Sequence, residues 1–332
     1  MDPALWIDCD TGLDDALALL LALGDTTAEL VGVSTVAGNC PLERATDNTL
    51  RVLALAGRGD VPVWAGAAAP VGGPAADARH VHGANGLGGR AATLPPPAAR
   101  PGGEPAAWAL LRALHRQPGR ITRVATGPLT NLALALALDP EAAQCVRQVV
   151  VMGGAVAVAG NVSPAAEFNF ASDPEAARAV FAANWPLVQV GLDVTMQVRI
   201  GREQSETLRG RGPVGAFCAD ALQAYQQAYA DLGHPPQAPM HDPLAVAVAC
   251  DTALVQCAAL PVEIETAGRW TRGMSVADRR VLDRPELLAG RRTVQVCLGV
   301  DARAATARML QAWGAWDGHR QETAALRGKP VG

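Results

Sequence analysis

The 332-residue chain is long enough for one large α/β domain or two smaller ones, and with 49% hydrophobic residues it can bury a substantial core. A formal net charge of −4 leaves no electrostatic footprint for nucleic acid. The basic residues are almost all Arg; Lys329 is the only Lys, which excludes a Walker-type phosphate loop and leaves no lysine in the folded part for Schiff-base chemistry.

In chain order, "ALWIDCD" (4–10) reads as a strand and "DDALALLLALGD" (14–25) as a helix. "AELVGVSTV" (28–36) is a second strand and "PLERATDNTLRVLALAG" (41–57) a second helix. The Ala-, Pro- and Gly-rich stretch 67–105 reads as a long loop over the sheet edge, and such loops are often functional. "ITRVAT", "RQVVVMGG" and "PLVQVGLD" are further buried strands, each followed by a helix or loop. In "PVGAFCADALQAYQQAYADL", residues Val214, Phe217, Cys218, Leu222, Tyr225, Tyr229 and Leu232 fall near one helical stripe. Alternating strands and helices predict an α/β fold: one open, mostly parallel twisted sheet with helices on both faces and a few extra antiparallel strands. No linker divides the chain, so residues 1–320 read as a single domain and 321–332 as a flexible tail.

Seven cysteines are scattered without a CxxC pair, an odd count that argues against a disulfide framework or zinc site and fits a reducing, cytoplasmic setting. The N-terminus lacks the basic and apolar regions of a signal peptide, and "ALALLLALG" is about half a membrane span. Neither nucleic acid nor membrane is expected as a partner.

The sharpest feature is "DCDTGLDD" at 8–15. Asp8 and Asp10 share a strand face because side chains alternate. Gly12 permits the turn, and Asp14 and Asp15 enter the first helical turn, where the dipole favours negative charge. Two carboxylates ~4 Å apart still repel by about 4 kcal/mol at an effective dielectric of ~20. With oxygen donors and no His or Cys in the cluster, a hard cation is the natural counter-charge. The plainer reading is a helix start with solvated carboxylates; for Asp8 alone a role supporting the site residues from behind, or a structural one, is preferred. Haloacid-dehalogenase phosphatases also carry two aspartates at a strand end. Here Gly12 stands where those enzymes have Thr or Val, and their Lys is missing.

Together these stretches closely resemble the inosine–uridine-preferring nucleoside hydrolase family. "DCDTGLDDA" is similar to that family's DxDxGxDDA opening. "TVAGN", "HGANGLGG", "ATGPLTNLA", "VMGGAV", "GNVSPAAEFNFASDPEAA", "GLDVT", "MHDPLAVA" and "TRGMSVADRR" follow in family order. The resemblance implies calcium-dependent hydrolysis of the N-glycosidic bond of ribonucleosides of the inosine, uridine and cytidine type, in nucleoside salvage. It implies one Ca²⁺ per subunit, held by Asp10, Asp15, Asp242 and the Thr126 carbonyl, with Asp10 as general base on a calcium-bound water. Asp14, Asn39 and Asn169 would grip the ribose hydroxyls, and Asn161 and Glu167 the 5′-hydroxyl. His241 would protonate the leaving base, His82 would lie on the base-side loop, and Tyr225 and Tyr229 would flank the base. A homodimer or homotetramer is implied.

Most of these residues also have structural readings: Asn39 as a helix cap before "NCPLERA", Asn161, Glu167 and Asn169 as loop polars, and Thr126 as a strand former. His241 and Asp242 read as an N-cap pair, His82 as a loop histidine, and Tyr225 and Tyr229 as core. Thr11 stands where many members have Pro, and Asn85 occupies a variable slot. The His–Asp pair at 241–242 resembles the inosine–uridine and cytidine–uridine subgroup rather than the purine-specific one with Trp before Asp, and Tyr225 leans toward broad base specificity. A non-catalytic calcium- or nucleoside-binding protein on the same fold is the remaining alternative.

Overall fold

A computed structural model describes residues 3–73 and 77–316. The tail at 321–332, with Lys329, lies outside the described residues. The strands are β1 (Ala4–Cys9), β2 (Glu29–Thr35), β3 (Val63–Ala65), β4 (Ile121–Ala125), β5 (Gln148–Met152) and β6 (Leu187–Val190), then β7 (Arg199–Ile200), β8 (Ala238–Pro239), β9 (Val255–Leu260), β10 (Val262–Ile264), β11 (Ser275–Ala277) and β12 (Val294–Val300). Eight of them form one sheet in the order β3-β2-β1-β4-β5-β6-β12-β9. All neighbours in it are parallel except the pair β12–β9. Two small antiparallel ribbons, β10–β11 and β7–β8, complete the expected α/β architecture.

The central strands are apolar along their length because both faces are covered. On β1, Leu5, Ile7 and Cys9 face one core and Trp6 the other. The first core takes the helices Leu13–Gly24, Gly212–Asp231, His241–Cys250 and Ala302–Gly314. The second takes Ala106–Arg116, Thr130–Leu138 and Pro174–Ala182. Helix Leu13–Gly24 is buried almost all round, which is why it reads as apolar on every side rather than amphipathic.

Some sequence readings need correction. Leu232 lies just past the end of its helix and is 51% exposed, so the buried stripe stops at Tyr229. Stretch 67–105 is not structureless: it holds a helical turn at Arg79–His82, a 3₁₀ turn at Ala91–Thr93 and a bridge from Gly102 to Trp64. Asn85 folds part of it, its Oδ1 accepting from Leu87 N and Gly89 N at 3.0 Å each. Thr11, in the slot where Pro was expected, bonds Thr49 through paired hydroxyls at 2.6 Å.

The chain runs from β1 outward to β2 and β3, then returns to lay β4, β5 and β6 on the other side of β1. The order therefore reverses between β1 and β4. In an open α/β sheet, the crevice beyond the strand ends at such a reversal is where ligands bind.

Candidate active site

Asp10 follows the last residue of β1, Thr126 follows β4, and Asp14 and Asp15 open the next helix. These are the ends of the two strands at the reversal. Asp242 enters from the first turn of helix His241–Cys250. Neither His241 nor Asp242 caps that helix; Met240 holds the cap position without a side-chain bond. Asn39 does not cap the second helix either, since Pro41 stands there. Its side chain turns instead toward Asp10 and Asp15.

The carboxylates are held by neutral donors. Asp10 accepts from Asn39 N at 2.6 Å and from Asn39 Nδ2 at 3.2 Å. Its seat depends on two glycines: a Cβ on Gly38 would lie 2.0 Å from Asp10 Oδ2, and one on Gly127 would lie 2.9 Å from Oδ1. Asp15 accepts from Gly12 N at 2.8 Å, Asn39 Nδ2 at 3.1 Å and Thr126 Oγ1 at 2.8 Å. Asp14 accepts from Tyr225 OH at 3.0 Å on one oxygen; its other oxygen, Oδ1, is buried without a hydrogen bond among the described residues. Asp14, Asp15 and Asp242 present oxygens all within 4.8 Å of one another, a group that can hold a metal ion. The tightest triad thus contains Asp14, which the resemblance gave to the sugar, and not Asp10.

None of these four aspartates is more than 5% exposed, and no Lys or Arg pairs with them among the described residues. Burial and mutual repulsion push Asp10 and Asp242 well above the usual carboxylate range. Burial is also the leading cause that raises Asp14 and Asp15, each to about 6. A set of buried oxygen donors with unrelieved negative charge and one unsatisfied oxygen fits a hard cation.

Asn169 reaches across from the far wall, its Nδ2 donating to Thr126 O at 2.8 Å and to Met152 O at 3.2 Å. Glu167 caps its own short helix: it accepts from Asn169 N and Gly154 N at 2.9 Å each, and burial raises it to about 7. Asn161 is exposed, and its Oδ1 accepts from Phe168 N at 2.9 Å. His82 is not a free loop histidine. Its buried Nδ1 accepts from Leu13 N at 3.1 Å at the helix start, and burial lowers the ring to about 4. Gly12 is required beneath it, because a Cβ there would meet His82 Nδ1 at 2.6 Å.

At the other end, Tyr229 OH and His241 Nε2 are 2.9 Å apart, and His241 Nδ1 is 2.8 Å from Thr195 Oγ1. Tyr225 and Tyr229 meet edge to face at 5.2 Å. Both are core residues and cavity-lining residues at once. A cavity of about 480 Å³ joins the two ends, in the range of small-molecule sites. Of the residues that the resemblance assigns to metal, substrate or catalysis, all line it except Asp10 and Asp15, which bond to lining residues Asn39 and Thr126. Sequence reasoning missed Thr195 as the partner of His241, although it stands in the quoted "GLDVT". It also missed lining residues such as His80, Val158, Met196 and His234, which carry no spacing signal.

Residues 5–307 match the family model described as inosine-uridine preferring nucleoside hydrolase. The chain belongs to that family. This nucleoside hydrolase is 40% identical over 277 residues to the pyrimidine-specific ribonucleoside hydrolase RihA of Citrobacter koseri, covering 82% of this chain and 86% of that one. It is 41% identical to an uncharacterized protein of Schizosaccharomyces pombe, covering 82% and 88%. Among solved structures, the purine-preferring ribonucleoside hydrolase from Gardnerella vaginalis superposes with a TM-score of 0.88 at 31% identity, covering 95% and 99%. A plant nucleoside hydrolase gives 0.87 at 32%, covering 95% and 100%. The nucleoside hydrolase described here is therefore a glycosidase acting on N-glycosyl compounds. The phosphatase and non-catalytic readings are not favoured. Among the described residues, no helix is long and apolar enough to cross a membrane.

Proposed function

We propose that this nucleoside hydrolase is calcium-dependent and cleaves the N-glycosidic bond of ribonucleosides with water. The observation that carries this reading is the buried ring of Asp10, Asp14, Asp15 and Asp242 at the sheet's reversal point, compensated among the described residues only by neutral donors. Asp10, Asp15, Asp242 and the Thr126 carbonyl would hold the ion, with Asp14 close enough to share it. When bound, calcium would orient a water and make it more acidic.

The chain's own residues do the rest. Asp10, clamped by Asn39, takes the proton of the attacking water. Asp14, Asn39 and Asn169 fix the ribose hydroxyls, and Asn161 and Glu167 fix the 5′ end. As the bond to the base breaks, positive charge grows on the sugar, and the carboxylate ring stabilises it. The electrons leave with the base, which needs a proton. Burial lowers His241 to about 3, so its ring is neutral near pH 7. With Thr195 donating to Nδ1, Nε2–H donates to the Tyr229 oxygen, and the Tyr229 hydroxyl proton is directed at the departing base. Tyr229 thus gives its hydroxyl proton to the departing base, the His241 Nε2–H stabilises the phenolate left behind, and water returns the proton to Tyr229; His241 serves the leaving group by positioning Tyr229, with His82 beside the base.

A homodimer or homotetramer in the cytoplasm, one domain spanning 1–320 and a broad base preference complete the proposal. The relatives' names divide between pyrimidine and purine substrates, so a panel of inosine, uridine, cytidine and adenosine decides the last point. The main test follows reducing-sugar release from uridine and inosine, beside p-nitrophenyl phosphate as control. Prolonged dialysis against a calcium chelator is expected to abolish nucleoside turnover, and added calcium to restore it. Full activity in protein shown to be metal-free would overturn the metal assignment. Turnover of the phosphate ester alone would overturn the reaction.

A further inference from the structure

Far along the sheet from the crevice, β9 is the outermost strand and, among the described residues, pairs only with β12. Cys257 on β9 and Cys297 on β12 are directly opposed in that antiparallel pair. Their sulfurs are 3.4 Å apart. Opposed residues in an antiparallel pair have Cα atoms roughly 4.5–5.5 Å apart, within the separation that a disulfide spans. The pairing loses register just beyond this point, between Cys297 and Gly299, so the local backbone is not locked into a regular ladder. Cys257 is exposed and Cys297 buried.

We propose that Cys257 and Cys297 form a reversible dithiol site that closes to an intrachain disulfide on reaction with a small-molecule disulfide. The exposed Cys257 thiolate attacks one sulfur of the reagent and expels a thiolate, leaving a mixed disulfide on Cys257. Cys297 then gives up its proton and attacks Cys257 Sγ, expelling the second thiol. Two cysteine thiols lose two electrons and two protons, and the small-molecule disulfide is reduced to two thiols. The roles are unequal for a physical reason. The hydrogen bond from Cys297 lowers the Cys257 thiol, whereas that bond, burial and the charge of Asp193 raise Cys297. Attack therefore begins at the surface and is resolved from within. The closed bond would clip an edge strand, the element of a sheet most prone to stray pairing, to its neighbour.

The test is incubation of the intact protein with excess oxidised glutathione, quenching with an alkylating agent, and intact-mass and peptide mapping. The wild-type protein is expected to lose two hydrogens, keep no glutathione adduct, and show a Cys257–Cys297 linkage that dithiothreitol reverses. C297S should instead accumulate glutathione on Cys257, and C257S should gain neither adduct nor linkage at Cys297. A wild-type protein that retains glutathione on Cys257, links another pair, or alkylates at all seven cysteines would overturn the proposal.

Discussion

Asp8, in β1, and Asp10, just past its end, are separated only by Cys9, and both are almost wholly buried. Asp8 faces Arg123 on β4 at 2.9 Å and accepts from Ser34 at 2.6 Å and Asn131 at 2.8 Å. Arg123 is anchored in turn by Ser34 and lies over the Trp6 ring. The protein neutralises that charge itself. Around Asp10 it supplies the backbone N–H and side-chain amide of Asn39, but no cation among the described residues. A buried charge left this way destabilises the fold unless something else occupies the site. The contrast separates a carboxylate that holds strands together from carboxylates kept available for a ligand.

The same substitution at the two positions should therefore act in opposite ways. Asp10→Asn is expected to lower kcat at least a thousandfold with less effect on KM, the pattern of a group acting mainly in the transition state. It should also raise the Tm of the chelated protein, because it removes one charge from a set that repels. Near-normal kcat would move the base to Asp14. Asp8→Asn strands Arg123 beneath the sheet and is expected to cost about 3–5 kcal/mol in urea unfolding, while the folded protein keeps kcat within about tenfold. A loss of activity without a loss of stability would show that Asp8 belongs to the site.

The sequence already set Asp8 apart in a structural role, but not what neutralises it. The "DCDTGLDD" run announced its carboxylates, and the alternation of β1 placed Asp8 and Asp10 on one face. Which of them is neutralised depends on Arg123, a residue on a strand far along the chain that no local pattern connects to β1. The strands were legible because burial on both faces leaves continuous apolar runs. The end of helix Gly212–Asp231 was not, because Leu232 keeps the apolar rhythm one residue past the turn. Asn39 was ambiguous for the same kind of reason. Its sequence setting suits a cap, and only the fold brings its side chain to Asp10 and Asp15.

The unpartnered Oδ1 of Asp14 gives a substrate-side measure of the same contrast. If a ribose hydroxyl satisfies it, a deoxynucleoside leaves it bare. An unpaired buried polar group costs about 1–3 kcal/mol, more when charged. Deoxyuridine is therefore expected to fall at least a hundredfold below uridine in kcat/KM. Comparable values would show that the sugar grip is misassigned.

The smallest expected effects separate the two tyrosines, which lie one helical turn apart. Tyr225 donates to Asp14 and so belongs to the uncompensated carboxylates; Tyr229 bonds His241 and belongs to the leaving group. Tyr225→Phe removes a neutral hydrogen bond to a charged group, about 1.5–3 kcal/mol if nothing replaces it. A cation in the site would offset part of that, so about tenfold in kcat/KM is expected, equally for inosine and for p-nitrophenyl riboside. Tyr229→Phe should also cost inosine about tenfold, since water can replace part of its proton delivery. The phenolate of p-nitrophenyl riboside leaves without a proton, so Tyr229→Phe should change its turnover less than about twofold. Equal losses for both substrates in Tyr229→Phe would mean that Tyr229 positions the sugar. A loss confined to inosine in Tyr225→Phe would mean that the boundary between the charged ring and the leaving-group end lies on the other side of that helical turn.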